Sequence, residues 1–191
     1  MLKDLITSKT RVKLLSLFLD NSSEMYHVRE IVRRVHEEIN AVRRELILLE
    51  KKGVLSREPR ANRVYYYLDK NYPFYYDLIR LHVKTNGLGA DIIKNRVKLG
   101  KIKYAMVSGK FARRIRENAD DVDFLIVGTV VLPELALIIK QEEAKRGEEI
   151  NYTVMTEEEF IFRKKRLDPF ITAVITGSRV MLLGDEESLL A

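Results

Sequence analysis

Between Val12 and Leu68 the apolar residues change period once, and the change falls at a glycine. Val12, Leu15, Phe18 and Leu19 recur at spacings of three and four, as do Val28, Ile31, Val32 and Val35, and then Val42, Leu46 and Leu49. Each set marks one face of a helix. Past Gly53 come two β-prone runs, Val54-Leu55-Ser56-Arg57 and Val64-Tyr65-Tyr66-Tyr67-Leu68, around the polar stretch Glu58-Pro59-Arg60-Ala61-Asn62-Arg63. That pattern predicts a hairpin with a basic tip. Gly53, which no glycine follows until Gly87, stands where the third helix must reverse into an extended segment and a left-handed cap is favoured. Thr7 or Ser8 is placed to cap the first helix and Asn40 the third. Asn21-Ser22-Ser23 forms the first turn, and Met25-Tyr26-His27 leads into the second helix.

The chain has 191 residues, 46% of them hydrophobic and 32% charged, which suits two small packed domains better than disorder. Without cysteine there is no disulfide framework, thiolate metal site or cysteine nucleophile. His27, His36 and His82 fall at no metal-ligand spacing. No apolar run approaches the ~20 residues of a membrane span, and Met1-Leu2-Lys3-Asp4 begins no signal peptide, so a cytoplasmic protein is expected. The net charge of +6 is unevenly placed: residues 1–85 hold 17 Lys and Arg against 11 Asp and Glu, and residues 86–191 hold 17 against 17. All the excess lies in the first half, as expected if that half alone faces a polyanion.

Three helices followed by a basic-tipped ribbon, with Val42-Arg43-Arg44-Glu45-Leu46 and Leu49-Glu50-Lys51-Lys52-Gly53-Val54-Leu55, resemble the winged helix-turn-helix repressors of bacteria and archaea over about residues 5 to 70. The resemblance implies double-stranded DNA as partner, with the third helix in the major groove. With Val42, Leu46 and Leu49 inward, Asn40, Ala41, Arg43 and Arg44 face the bases, where Arg suits guanine and Asn suits adenine. Arg57, Arg60 and Arg63 on the wing then meet phosphate or minor groove. Glu37 and Glu38 oppose phosphate, though they also favour a helix N-terminus.

Pro73 opens a helix through Phe74, Tyr75, Leu78, Ile79, Leu81 and His82 to about Lys84. Its broad apolar face either packs on its own domain or forms a homodimer, and the dimer is the favoured expectation. Thr85-Asn86-Gly87-Leu88-Gly89 reads as a hinge. The expected domains are 1–70, a linker or dimer helix with its hinge at 71–87, and 88–191.

The second half mixes periods. A helix with Ile92, Ile93 and Val97 precedes a strand at Tyr104-Ala105-Met106-Val107, a turn at Ser108-Gly109-Lys110 and a strand at 122–127. A helix through Leu135 to Ile139, a strand at 150–154, helices at 157–166 and 169–176, and a strand at 180–183 follow. Val107-Ser108-Gly109-Lys110-Phe111-Ala112-Arg113-Arg114 with Ala119-Asp120-Asp121-Val122-Asp123-Phe124-Leu125-Ile126-Val127 resembles a minimal nucleotidyltransferase of the DNA polymerase beta superfamily, over most of residues 90 to 184. That resemblance implies Mg²⁺ at Asp121 and Asp123, taken to be two apart on one strand. It also implies a nucleotide at Ser108, Gly109, Lys110 and Arg113, with turn amides receiving the triphosphate. The sequence departs at Lys110, at Arg114, and at Asn151, where a third carboxylate is expected.

The expected fold is therefore α+β: an N-terminal winged helix-turn-helix and a C-terminal nucleotidyltransferase-like α/β domain with a mixed sheet. Two functions follow. The first is a homodimeric DNA-binding transcriptional regulator whose second domain, without catalysis, senses a ligand or assembles. The second is an active Mg²⁺-dependent nucleotidyltransferase, with Asp121 and Asp123 catalytic and the winged helix as targeting module.

Overall fold

The computed structural model describes residues 6–115 and 121–191. The chain start Met1-Leu2-Lys3-Asp4 and the Ala119-Asp120 of the acidic motif lie outside them. The chain is mixed α and β, divided into two compact units, Met1–His82 and Val83–Ala191.

In the first unit the elements run α1 (Lys9–Asp20), β1 (Met25–His27), α2 (Val28–Val35), α3 (Ile39–Lys51), β2 (Leu55–Arg60) and β3 (Arg63–Leu68), and α4 (Tyr75–Thr85) begins at its end. The three helices and the hairpin stand in the predicted order. Ser8 caps α1 by accepting from the Arg11 amide, and Val12, Leu14, Leu15, Phe18 and Leu19 are buried. Val42, Leu46 and Leu49 form the buried stripe of α3, with Ile31 and Val35 of α2 buried too. Gly53 adopts φ +74°. Its amide donates to the Glu50 carbonyl and that of Val54 to Leu49, the paired bonds that close a helix through a left-handed residue.

Two expectations change here. Met25–His27 is a strand, not a connector: it pairs antiparallel with β3 to give the order β1-β3-β2. A run of three residues is too short to show a period, and only its partner β3 makes it a strand. The hairpin turn is also shorter than the polar stretch Glu58–Arg63, because β2 and β3 pair out to Arg60 opposite Arg63. Pro59 is tolerated within this run because β2 is an edge strand. Only Ala61 and Asn62 lie between the strands, with Ala61 at φ +48°.

The second unit contains α5 (Gly87–Lys94), β4 (Gly100–Ser108), α6 (Gly109–Ala112), β5 (Phe124–Val130), α7 (Leu132–Arg146), β6 (Tyr152–Met155), α8 (Glu157–Lys165), α9 (Pro169–Thr176), β7 (Arg179–Leu183) and α10 (Glu186–Leu190). Its sheet order is β6-β5-β4-β7. β4 pairs antiparallel with β5 and β7, whereas β5 and β6 are parallel, so the sheet is mixed. The parallel pair needs a crossover, which α7 supplies. Phe124 to Gly128 of β5 is buried residue after residue, as a strand covered on both faces should be. Tyr104, Met106, Leu125, Val127 and Met181 join Phe160 of α8, Ile171 of α9 and Leu189 of α10 in one cluster. The helix α10 has no counterpart in the sequence expectations.

The expected hinge at Thr85–Gly89 is mostly helix: α5 starts at Gly87, with Leu88 and Gly89 buried. Gly89 serves close packing, since a Cβ there would lie 2.2 Å from the Val83 carbonyl oxygen.

Candidate functional site

Position on α3 is set by two polar ties to α1. Arg11 Nε lies 2.8 Å from Glu45 Oε2, and the Ser8 hydroxyl donates to Glu45 Oε1 at 2.6 Å. Glu37, in the turn before α3, accepts from Lys13 at 2.6 Å and Thr10 at 3.3 Å. Burial pushes the Glu45 carboxyl up, but the hydrogen bonds and charge of Arg11, with the Ser8 bond, outweigh it and hold the group below its ordinary 4.5. The Lys13 hydrogen bond is the main cause holding Glu37 below the same value.

Glu38, not Asn40, caps α3: its Oε2 accepts from the amides of Asn40 at 2.7 Å and Ala41 at 3.1 Å. A carboxylate there satisfies orphan donors and suits the positive helix end, and the helix begins two residues early, at Ile39. Both acidic residues before α3 thus have internal partners.

Along the outer side of α3, Asn40, Arg43, Arg44 and Ile47 are exposed, while Ala41 is half-buried. Between this helix and the β2–β3 hairpin runs a cleft of about 640 Å³. Arg43 and Ile47 line it from α3, Arg57, Arg63 and Val64 from the hairpin, and His27 and Arg29 from the β1–α2 junction. Four guanidinium groups face it, and no carboxylate is among its lining residues. Arg57 Nε also reaches Glu50 at 2.9 Å. Among the described residues Arg29, Arg43 and Arg63 make no ion pair.

Of the seven predicted DNA-contact residues, the structure gathers Arg43, Arg57 and Arg63 around the cleft. Asn40, Ala41, Arg44 and Arg60 do not line it. Arg60 is held by Glu58, with Nε to Oε1 at 2.8 Å and Nη2 to Oε2 at 3.3 Å. Sequence reading missed Ile47, Arg29 and His27. Ile47 follows Arg43 by one turn outside the buried stripe, so its exposure was legible. Arg29 and His27 reach the cleft only because β1 pairs with β3.

The helix α4 buries Tyr75, Ile79 and His82. His82 Nε2 sits 2.9 Å from Asp20 Oδ1 of α1. Phe74 and Tyr76 remain exposed at 60% and 59%. Much of the apolar face expected at a dimer interface is therefore already covered.

In the second unit, Ser108, Lys110, Asp121 and Asp123 line a cleft of about 320 Å³ whose remaining walls are largely apolar, among them Met106, Leu125, Phe170 and Val174. Arg113 is the C-cap of α6 and does not line it. The acidic pair stands just before β5, which starts at Phe124, and the Asp123 backbone already bonds Ser108 and Asn151 on either side, but nearness to one strand does not make the two side chains share partners. Their neighbours differ instead. Lys110 Nζ lies 3.0 Å from Asp121 Oδ2. Asp123 is buried, and its Oδ2 accepts from the Asn151 amide at 3.0 Å. Asn151 does reach the pair, as its place in the sequence led one to expect, and its Nδ2 donates to the Asp121 carbonyl at 3.2 Å. These residues do not fit a two-ion Mg²⁺ centre, because a cation is paired with one carboxylate and the third position offers a neutral amide turned to the backbone.

The turn expected to receive a triphosphate is also used internally. Gly109 donates its amide to the Ser178 carbonyl at 2.7 Å, and Phe111 to the Ser108 hydroxyl at 3.1 Å. A Cβ on Gly109 would lie 2.1 Å from Ser178 Oγ, so the glycine permits close packing against the chain leading into β7.

No protein-family model matches the chain, and no curated protein matches it. Among solved structures, reduced HlyU from Vibrio cholerae N16961 is similar at 24% identity and a TM-score of 0.33, over 42% of this chain and 83% of that one. No helix among the described residues is long and apolar enough to cross a membrane.

Proposed function

We propose that the protein is a DNA-binding transcriptional regulator whose first ~70 residues act as a winged helix-turn-helix. In this reading α3 enters the major groove, with Arg43 and Arg44 at base edges and Ile47 available to thymine methyl groups. The β2–β3 hairpin is the wing, and Arg57, Arg60 and Arg63 contact phosphate or the minor groove. The observation that carries the reading is the cleft between α3 and the hairpin, faced by Arg29, Arg43, Arg57 and Arg63 without a lining carboxylate. Four guanidinium groups around one concavity, only Arg57 of them in an ion pair among the described residues, repel each other less once a polyanion enters it.

Residues 71–87 link this domain to a nucleotidyltransferase-like domain at 88–191 that senses a ligand or supports assembly without transferring nucleotides. The Lys110–Asp121 ion pair and the neutral Asn151 weigh against the active-transferase alternative. The regulator acts as a homodimer through α4, with Phe74 and Tyr76 as the exposed apolar pair at the interface. Selection of genomic fragments on the purified protein, followed by footprinting, tests the function. Enrichment of one sequence and its protection support it; no enrichment over bulk DNA at low salt refutes it.

A further inference from the structure

Residues 86–191 are neutral in total but not evenly so. From residue 92 to residue 116 the sequence has no acidic residue. The first part of that stretch holds Lys94, Arg96, Lys98, Lys101 and Lys103, all exposed. The remainder of residues 86–191 carries 12 Lys and Arg against 17 Asp and Glu, so this strip is a basic island on an otherwise acidic unit.

Three observations make it more than a solvated surface. The five cations are mounted on a fixed segment: Leu99 is fully buried, and its amide donates to the Asn95 carbonyl while its own carbonyl accepts from Val131. Asn95 in turn caps α5 by donating Nδ2 to the Asp91 carbonyl at 2.8 Å. Next, the preceding acid, Asp91, is engaged elsewhere, 3.6 Å from Lys145 of α7. Among the described residues none of the five cations makes an ion pair. Finally, Lys103 is the extra residue of a bulge in β4, opposite the Gly128–Val127 step of β5, and bulges re-aim side chains out of the strand's alternation. Lys101 and Lys103 are both exposed, so β4 presents two cations before it enters the core at Tyr104.

We propose that this strip, Lys94, Arg96, Lys98, Lys101 and Lys103, is a second phosphate-contacting surface that docks on the backbone of the same DNA the first unit reads. The inference rests on the DNA-binding reading above. Five cations without base-reading partners supply sequence-independent affinity, and such contacts fix position without choosing a sequence. Only about a dozen residues separate His82 from Lys94. Binding by the first unit therefore holds the strip at high effective concentration near the duplex.

The test uses the full chain, the duplex obtained by footprinting and a random-sequence duplex, with Kd measured from about 50 to 200 mM salt. Replacing Lys98, Lys101 and Lys103 together by Gln lowers the slope of log K against log salt by up to about 2.7, at about 0.9 per phosphate contact. The wild-type and variant affinities then converge by about 40-fold across that range, equally on both duplexes. Circular dichroism and the thermal midpoint check the fold. If the triple variant is unstable, Lys98→Gln and Lys101→Gln singly lower the slope by about 0.9 each. A triple variant that folds and keeps the wild-type slope overturns the strip and leaves the function standing, whereas a wild type that binds neither duplex overturns the function itself. Binding to anionic phospholipid vesicles that is lost in the variant, with DNA binding intact, overturns the strip in favour of a membrane surface.

Discussion

Arg43 offers the most direct way to perturb the first unit, because the folded chain gives up little when it is removed. It is exposed on α3, lines the cleft, and has no ion pair among the described residues. Arg43→Ala should leave the thermal midpoint unchanged, and any loss of affinity then belongs to the complex. A guanidinium paired bidentately with a guanine is worth about 1 to 3 kcal/mol, or roughly 5- to 150-fold in Kd. The loss should be larger on the selected duplex than on random DNA, and base preference at one position should relax. Arg44→Ala should behave in the same way. Arg60 is the internal contrast, since its guanidinium is already paired with Glu58 and offers phosphate a partly compensated charge. Arg60→Ala should weaken all sequences alike. Fluorescence anisotropy with selected and random duplexes over a salt series reads both quantities. Equal losses on both duplexes for Arg43, Arg44 and Arg60 would refute the groove assignment.

Three further outcomes follow from the same geometry. The Glu45 carboxyl lies below its ordinary 4.5 in the folded state, so its contribution to stability is complete above that value and fades as pH falls through the lower folded value. Urea midpoints against pH should therefore drop less steeply below about pH 5 in Glu45→Gln than in wild type, and parallel curves would remove Glu45 as a cause. A homodimer through α4 calls for a palindromic operator with half-sites about one helical turn apart, or a multiple of that. Light scattering that shows a monomer at micromolar concentration with and without DNA would exclude it, and Tyr76→Ser should weaken it. Incubation with labelled nucleoside triphosphates, Mg²⁺ or Mn²⁺ and candidate acceptors should give no transfer, and transfer abolished by Asp123→Ala would reverse that expectation.

The first unit was legible because its signals are local. The i, i+3, i+4 stripes became buried stripes, Ser8 became a cap, and Gly53 took a left-handed conformation. What stayed hidden depends on contacts distant in sequence. Three residues, Met25–His27, become a strand only by pairing with Met25 opposite Tyr67 and His27 opposite Tyr65. That pairing also carries Arg29 into the cleft. The cap of α3 was misplaced because Asn is the stronger N-cap by type, yet Glu38 reaches two amides from one residue before the helix. In the second unit the order of strands and helices was readable, while the apparent hinge was not: Gly87 and Gly89 look like flexibility in sequence and serve a helix start and a close approach in the fold.

The acidic pair shows why a spacing does not specify a chemistry. Asp121 and Asp123 stand two apart, which on a strand would aim both carboxylates at one ion. At this edge of β5 each side chain answers to its own neighbours. Asp123 is buried, and a buried carboxylate must be compensated; the Asn151 amide at 3.0 Å contributes to that. Asp121 is partly exposed, and Lys110 supplies the opposing charge at 3.0 Å. For a divalent ion to bind here it would have to displace or sit beside an ammonium group, and the Coulomb cost of two cations a few ångströms apart rises as water is excluded from the cleft. Lys110→Ala is accordingly the variant to compare with wild type in divalent-ion titration. Metal affinity that rises when the lysine is removed would identify the ion pair as what opposes an ion here, whereas unchanged affinity would leave Asn151 as the residue to vary next.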